Sequence, residues 1–364
     1  MNNKRNEHNY CVILAGGQGT RFWPVSRLGK PKQFLDFFGM GRTLLQQTFD
    51  RMARFIDKEN VYVVTQKEYV DLVHEQLPVL SEEQVLPEPM RRNTAPAALW
   101  ATLHIRLRDK AARVVFVPAD QLITNEQLFQ EDILKTLDFV GENHVPVALG
   151  VTPNKPETSY GYIQKSEEQL DEFFKVQSFT EKPELNFAQF FVECGEFCWN
   201  TGIFLWSTQA IYNGLSGHIQ ALLNMADENK LREAPTQEKI AFLGQLYTML
   251  PNLTLDSAVL EKTERVYVKE CQFGWADVGN WDSFYHLSPK DDNENVVPNS
   301  NVVSYGARRN AIMVPEGKTV IVEGLDDFVV IDDDNLLVIC PRGKAPEWRK
   351  YVNDAQMNLG EDFL

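Results

Sequence analysis

Cys11-Val-Ile-Leu-Ala-Gly16-Gly17-Gln-Gly19-Thr20-Arg21-Phe-Trp-Pro24, running on to Pro31-Lys32-Gln33-Phe34-Leu35, decides how this chain is read. An apolar strand ends in a glycine-rich turn, where missing side chains let backbone N–H groups close on an anion, here expected to be a phosphate. Between His8 and Leu35 there is no Asp or Glu, yet Arg21, Arg27, Lys30 and Lys32 all fall there, in a protein of formal net charge -15. The glycines alone fit an ordinary strand-to-helix turn, with the basic residues on a solvated face. The local reversal of sign favours an anion site.

Two familiar phosphate loops are excluded. The dinucleotide fingerprint fails because Phe22 stands where its third glycine belongs, and the P-loop fails because no Gly-Lys-Ser/Thr follows. The string GGQGTRFWPVSRLGKPKQFL resembles the opening motif of sugar-nucleotide pyrophosphorylases. Within it, Trp23-Pro24 and Pro31–Leu35 are similar to the wording of the bacterial mannose-1-phosphate guanylyltransferases. The resemblance covers roughly residues 10 to 290. It implies an α/β fold of nucleotide-diphospho-sugar transferase type, in which helices flank a Rossmann-like, mostly parallel mixed sheet. It also implies a small C-terminal β-rich, β-helix-like domain that supports a homodimer. Its expected substrates are GTP and mannose-1-phosphate, with Leu14, Ala15, Gly16, Gly17, Gly19, Thr20, Arg21 and Lys32 on the nucleotide.

Composition agrees with a soluble enzyme. At 364 residues one large and one small domain are expected, since single cores seldom exceed about 250 to 300 residues. No apolar run approaches the roughly 18 residues of a membrane helix, so a cytoplasmic protein without a membrane partner is expected. Five scattered cysteines suit reduced thiols better than a disulfide framework, and Cys194 and Cys198 lack the second pair that a zinc site needs. The acidic balance disfavours DNA or RNA as partner.

Strand-length apolar runs at Cys11–Ala15, Val61–Thr65, Arg113–Pro118 and Val145–Leu149 alternate with helical spacing over Leu44–Phe55 and Thr94–Leu107. In such α/β sheets, ligands bind beyond the carboxyl ends of the strands. From about Asn295 the texture becomes short β-branched runs punctuated by glycines, with no clean repeat period. The expected domains are therefore 1–292, catalytic, and 293–364, small and β-rich. A closing helix is expected within Pro346–Asn358.

Asp120 follows a buried strand in Pro118-Ala-Asp, and Asp277 lies in Trp275-Ala-Asp277-Val-Gly279. Either alone could be a helix cap or turn former. The resemblance makes both magnesium ligands, and hard carboxylate oxygens suit Mg²⁺. Similarly, Phe179-Thr-Glu181-Lys182-Pro183 reads by itself as a solvated surface pair. The resemblance places Lys182 on the sugar phosphate and Glu181 on a sugar hydroxyl, with Tyr160, Gly161, Asn200 and Glu261 also around the hexose. Leu86–Ala97 is the base-reading segment by the same resemblance, with Glu88 as acceptor for guanine N–H groups and Asn93, Thr94 and Ala95 beside the base. Asn93 or Thr94 can in addition cap the following helix, with Pro96 in its first turn.

Together Arg21, Lys32, Asp120, Lys182 and Asp277 form the expected catalytic set. Gln121, Arg91, Ser159, Thr201 and Asn280 depart from the usual family wording without removing a charge, and leave open another acceptor such as fucose-1-phosphate. Thymidylyl transfer to glucose-1-phosphate, a non-catalytic sugar-nucleotide-binding regulator and an NAD-dependent dehydrogenase are the competing readings.

Overall fold

The computed structural model describes residues 5–214, 234, 236–249, 252–256, 265–298, 301–343 and 347–360. The strands are β1 (Asn9–Leu14), β2 (Val61–Gln66), β3 (Val85–Glu88), β4 (Arg113–Pro118), β5 (Gln121–Ile123), β6 (Val147–Val151), β7 (Tyr162–Leu170), β8 (Phe173–Thr180), β9 (Phe197–Ser207), β10 (Tyr267–Cys271), β11 (Trp275–Asp277), β12 (Asn301–Tyr305), β13 (Ala311–Met313), β14 (Thr319–Glu323), β15 (Phe328–Asp333) and β16 (Leu336–Pro341). The helices are α1 (Leu44–Met52), α2 (Val70–Gln76), α3 (Thr94–Arg108), α4 (Glu126–Asn143), α5 (Leu185–Cys194), α6 (Thr208–Gly214), α7 (Thr236–Met249), α8 (Trp281–Leu287) and α9 (Trp348–Leu359).

These elements form two compact units interleaved along the chain. Unit 1 comprises Met1–Gly16, Phe49–Pro118 and Ile123–Trp275; unit 2 comprises Gly17–Thr48, Ala119–Leu122 and Ala276–Leu364. The chain therefore changes unit within the glycine turn itself, between Gly16 and Gly17. A boundary near residue 293 is not among the breaks, because one core joins Phe22, Trp23 and Phe37 to Val278, Trp281, Ile331 and Trp348. Both the turn and the C-terminal β-rich stretch contribute to that core.

Unit 1 is built on a nine-stranded sheet of order β3-β2-β1-β4-β9-β6-β10-β8-β7. Its first four strands are parallel, in the 3-2-1-4 order of a dinucleotide fold. Beyond β4 the sheet departs from the mostly parallel arrangement read from the sequence. Among the described residues only β6 and β10 pair in parallel there, while β9 runs antiparallel to β4, β6 and β7, and β7 and β8 form an antiparallel ribbon. For the ribbon the reason is its link: β7 and β8 are joined by Asp171 and Glu172 alone, and so short a link allows only a hairpin. Asp171 takes the left-handed conformation at that turn. The apolar strands β1 and β2 are buried on both faces, as expected beneath helices. Helix α3 is buried along nearly its whole length, and its Thr102 hydroxyl accepts the Trp206 indole N–H at 3.0 Å.

In the C-terminal part of unit 2, β12 pairs in parallel with β14 and β13 with β15, each residue meeting one 18 positions further on, as in Asn301 with Thr319 and Ala311 with Val329. The bridge from Arg308 to Asp326 has the same offset. Inside this coil the buried Asn310 amide donates to Leu325 O at 2.9 Å and accepts from Phe328 N at 2.9 Å, so its turns are tied by a side chain where no strand runs. Among the described residues no helix is long and apolar enough to cross a membrane.

Candidate active site

The phosphate-loop residues of unit 2 are placed by a hydrophobic anchor. Phe22, which breaks the dinucleotide fingerprint, is fully buried, its ring 4.5 Å from Phe37 and 5.2 Å from Trp281. A single 3-10 turn over Thr20–Phe22 follows the glycines where a dinucleotide fold would start a long helix. Gly19 has φ 66°, and a Cβ there would lie 2.4 Å from the Ser26 hydroxyl and 2.9 Å from Lys32 Cγ. Only glycine lets the loop close over Lys32. Gly17 faces open space, while its carbonyl accepts the Gln33 amide at 2.9 Å.

Lys32 is the buried cation of this group. Its side chain is 8% exposed; its ammonium lies 2.6 Å from Asp120 Oδ2 and donates to Val278 O at 2.9 Å. The two expected catalytic residues are thus paired with each other, and Val278 N reaches back to Asp120 O at 3.4 Å, joining the Asp120 and Asp277 segments. At Gly279 a Cβ would sit 2.7 Å from Asp277 Oδ2 and 3.5 Å from Arg21 Nη1, so the missing side chain leaves room for that acid and that cation side by side. Arg21 and Thr20 are exposed. Arg27 is drawn elsewhere, donating to Asp333 O at 3.0 Å with its Oδ2 at 3.2 Å. Among the described residues no three His, Cys, Asp or Glu side chains gather into a ligand set. The hard carboxylate oxygens of Asp120 and Asp277 suit, by donor type, an ion that completes its shell with phosphate oxygens and water, as Mg²⁺ does.

Unit 1 carries a second group at the carboxyl ends of β1, β2 and β3. Ala15 donates to Val64 O at 2.8 Å and accepts from the Thr65 hydroxyl at 3.0 Å, which continues the line of Leu14 past the strand. Gly16 is held against Glu88: a Cβ on it would come within 2.5 Å of Glu88 Oε2. Glu88 is 5% exposed and accepts from Gln66 Nε2 at 2.6 Å and from the Tyr247 hydroxyl at 3.2 Å. Burial pushes its carboxyl up to about 7, against the opposing pull of the Tyr247 and Gln66 hydrogen bonds and the Arg91 charge. Since the unfolded chain gives up this proton near 4.5, the folded state holds the extra proton between those limits. Its contribution is therefore full below about pH 4.5 and lost as pH rises through about 7. Relative to Glu88→Gln, the wild type should lose stability on the order of a few kcal/mol between about pH 5 and about pH 8 in denaturant titrations, and a flat difference would refute this.

Asn93 and Thr94 do not cap α3 as expected. Asn93 is the residue before the helix, at φ 59°, but its amide donates to Asn252 Oδ1 at 2.9 Å; the Thr94 hydroxyl accepts from Leu255 N at 2.9 Å, and Ala95 N donates to Leu253 O at 3.3 Å. The segment 252–255 takes the Thr94 hydroxyl as acceptor and the Ala95 N–H as donor, both of which belong to the helix end. Asn93, Thr94 and Ala95 thus tie that segment to the first turn.

A third group, also in unit 1, surrounds Gly161. A Cβ there would lie 2.9 Å from Glu181 Oε2 and 3.4 Å from Asn200 Cβ. Asn200 N donates to Gly161 O at 2.8 Å and its amide to Asp256 Oδ1 at 2.8 Å. Tyr160 stands edge-on to Trp199 and Trp275, with ring centroids 5.3 and 5.0 Å away. Lys182 takes φ 44°, a left-handed conformation uncommon for a side-chain-bearing residue, and its side chain, 57% exposed, pairs with Glu181. Glu261 lies outside the described residues. Sequence reasoning missed three members of these groups: Gln66, which the strand-end rule could have flagged, Asp256 and Tyr247.

Residues 10–294 match the nucleotidyl transferase family. The chain is a nucleotidyl transferase. Among its relatives within this family, the alginate biosynthesis protein AlgA of Pseudomonas putida is 34% identical over 345 residues, covering 94% of this chain and 70% of that protein. A mannose-1-phosphate guanylyltransferase of Klebsiella pneumoniae is 30% identical over 364 residues, covering 97% of this chain and 75% of the relative. A crystal structure from Thermus thermophilus, described as a mannose-1-phosphate geranyltransferase, superposes with a TM-score of 0.83 at 28% identity, over 96% of this chain and 99% of that one. The nucleotidyl transferase assignment removes the dehydrogenase reading, and Phe22 supplies the structural reason.

Proposed function

We propose that this nucleotidyl transferase makes GDP-mannose and pyrophosphate from GTP and mannose-1-phosphate. The observation that carries the reading is the similarity, over nearly the whole chain, to a protein named for that reaction. A phosphate oxygen of the sugar phosphate attacks the α-phosphorus of GTP; the new P–O bond forms as the α–β anhydride bond breaks, and pyrophosphate leaves. The attacking oxygen is already anionic, so no general base is required. Arg21, Lys32 and the backbone N–H groups around Gly17 and Gly19 stabilise charge on the triphosphate. Asp120 and Asp277 would hold Mg²⁺, which supplies positive charge to the phosphate oxygens when bound. Glu88 reads the guanine, with Asn93, Thr94 and Ala95 shaping the base site. Glu181, Asn200, Gly161 and Tyr160 take the hexose, and Lys182 its phosphate.

We assign dimerisation to the β-helix-like stretch 293–364 of a cytoplasmic enzyme, with the catalytic side chains all within residues 1–292. A pyrophosphate-release assay crossing GTP, ATP, UTP and dTTP with mannose-, glucose- and fucose-1-phosphate tests the substrates. Turnover should be highest with GTP and mannose-1-phosphate; a higher rate with another pair reassigns the reaction, and none with any pair supports the regulatory reading. Lys182→Ala should raise the KM for mannose-1-phosphate roughly tenfold, equivalent to about 1.4 kcal/mol, because it removes one charge-assisted contact. If the KM for GTP rises instead, the two phosphate sites are interchanged.

A further inference from the structure

Glu88 is held by side chains from two elements far apart in the sequence. Gln66 ends β2 and donates to one carboxylate oxygen, while Tyr247 lies on α7 and donates to the other. An ionised carboxylate offers about four lone-pair positions, two on each oxygen. Among the described residues Gln66 donates to Oε2 and Tyr247 to Oε1, so by this count each oxygen retains one acceptor position for a ligand. Gly16 lies beside Oε2, where any Cβ would press on the carboxylate. Tyr247 is itself fixed: it is buried, and the Trp100 ring stands perpendicular to it at 5.5 Å.

We infer that Gln66 and Tyr247 are positioning residues that orient the Glu88 carboxylate for bidentate capture of a 2-aminopurine edge, and so set base specificity. This rests on the guanylyl reading above. Guanine presents N1–H and N2–H side by side, two donors for the two open acceptor positions. Hypoxanthine keeps N1–H but lacks the amino group; adenine replaces N1–H with an acceptor that a carboxylate repels. The two guanine donors also favour the ionised carboxylate, which burial disfavours in the free enzyme. A Glu88 free to rotate would present one oxygen at a time and lose the distinction between GTP and ITP. Gln66 and Tyr247 thereby act on the base through Glu88.

Steady-state kinetics of the full-length wild type, Tyr247→Phe and Gln66→Leu with GTP and with ITP test this. The phenylalanine keeps the ring against Trp100 and removes only the hydroxyl, and a thermal melt checks that both variants fold. The wild type should prefer GTP over ITP by roughly ten- to a hundredfold in kcat/KM, the range expected for one hydrogen bond to a charged group. Each variant should raise the KM for GTP about tenfold, leave kcat and the KM for mannose-1-phosphate nearly unchanged, and shrink the GTP-to-ITP ratio. If the wild type prefers GTP but both variants keep its KM and its GTP-to-ITP ratio, the positioning role is overturned and the guanylyl reading stands. Equal weakening of GTP, ITP and sugar phosphate would show a purely structural role and overturn it as well. A wild type with no preference for GTP among the nucleotides overturns both.

Discussion

Asp277→Asn should leave the fold intact and lower nucleotidyl transfer by about 10² to 10³, the loss typical of removing one preorganised electrostatic contact. The fold should survive because Asn has the same shape and the neighbouring helix does not depend on the acid. The start of α8 is capped by Asn280, which accepts from Ser283 N at 2.9 Å, and Gly279 N is satisfied by the Ser283 hydroxyl at 3.0 Å. What changes is charge. The carboxylate beside Gly279 and Arg21 becomes a neutral amide, a poor ligand for a hard divalent ion. Wild-type melting with a rate reduced at least a hundredfold in pyrophosphate release is the expected result, and near-normal turnover would refute the metal assignment.

Lys32→Met should cost both activity and stability. The ammonium is the buried partner of Asp120 and of the Val278 carbonyl, so removing it leaves a carboxylate and a carbonyl without that donor. Breaking a buried pair typically costs about 3 to 5 kcal/mol; the 27% exposure of Asp120 places this case near the lower end, about 3 kcal/mol. The rate should fall by a further factor of about 10² to 10³ beyond any loss of folded protein, since the cation we propose for the triphosphate is gone. Denaturant titration and single-turnover kinetics on the folded fraction separate the two effects. Unchanged stability would show that the Lys32–Asp120 pair does not hold the loop, and an unchanged rate would remove Lys32 from the catalytic set.

The parts of the fold visible in sequence were those whose cause is local. The strands β1, β2 and β4 are runs of apolar β-branched residues, α3 has helical spacing, and the glycine turn follows from residues that lack a Cβ. The antiparallel setting of β9 was hidden, because an apolar strand reads alike whichever way its neighbour runs. Likewise the 18-residue pairing offset leaves little trace in the sequence, since β13 has three residues and each pairs with a residue of a different type on β15. Phe22 showed only that a dinucleotide loop was absent; that it anchors the loop against Phe37 and Trp281 depends on residues up to 259 positions away. In the candidate site, the charges of Lys32, Asp120 and Asp277 stood out by sign and motif, while Tyr247 meets Glu88 from 159 positions away in a helix with no motif of its own. Asn93 and Thr94 looked like caps because cap chemistry is local, and the segment at Asn252–Leu255 that takes their hydrogen bonds is not.

The most direct test follows the phosphorus itself. The purified chain is incubated with mannose-1-phosphate, Mg²⁺ and GTP labelled at the α-phosphorus, and the products are separated. The label should appear in GDP-mannose, matched one for one by unlabelled pyrophosphate. Label recovered as GMP or GDP without a sugar nucleotide, or left wholly in GTP, would contradict guanylyl transfer by this chain.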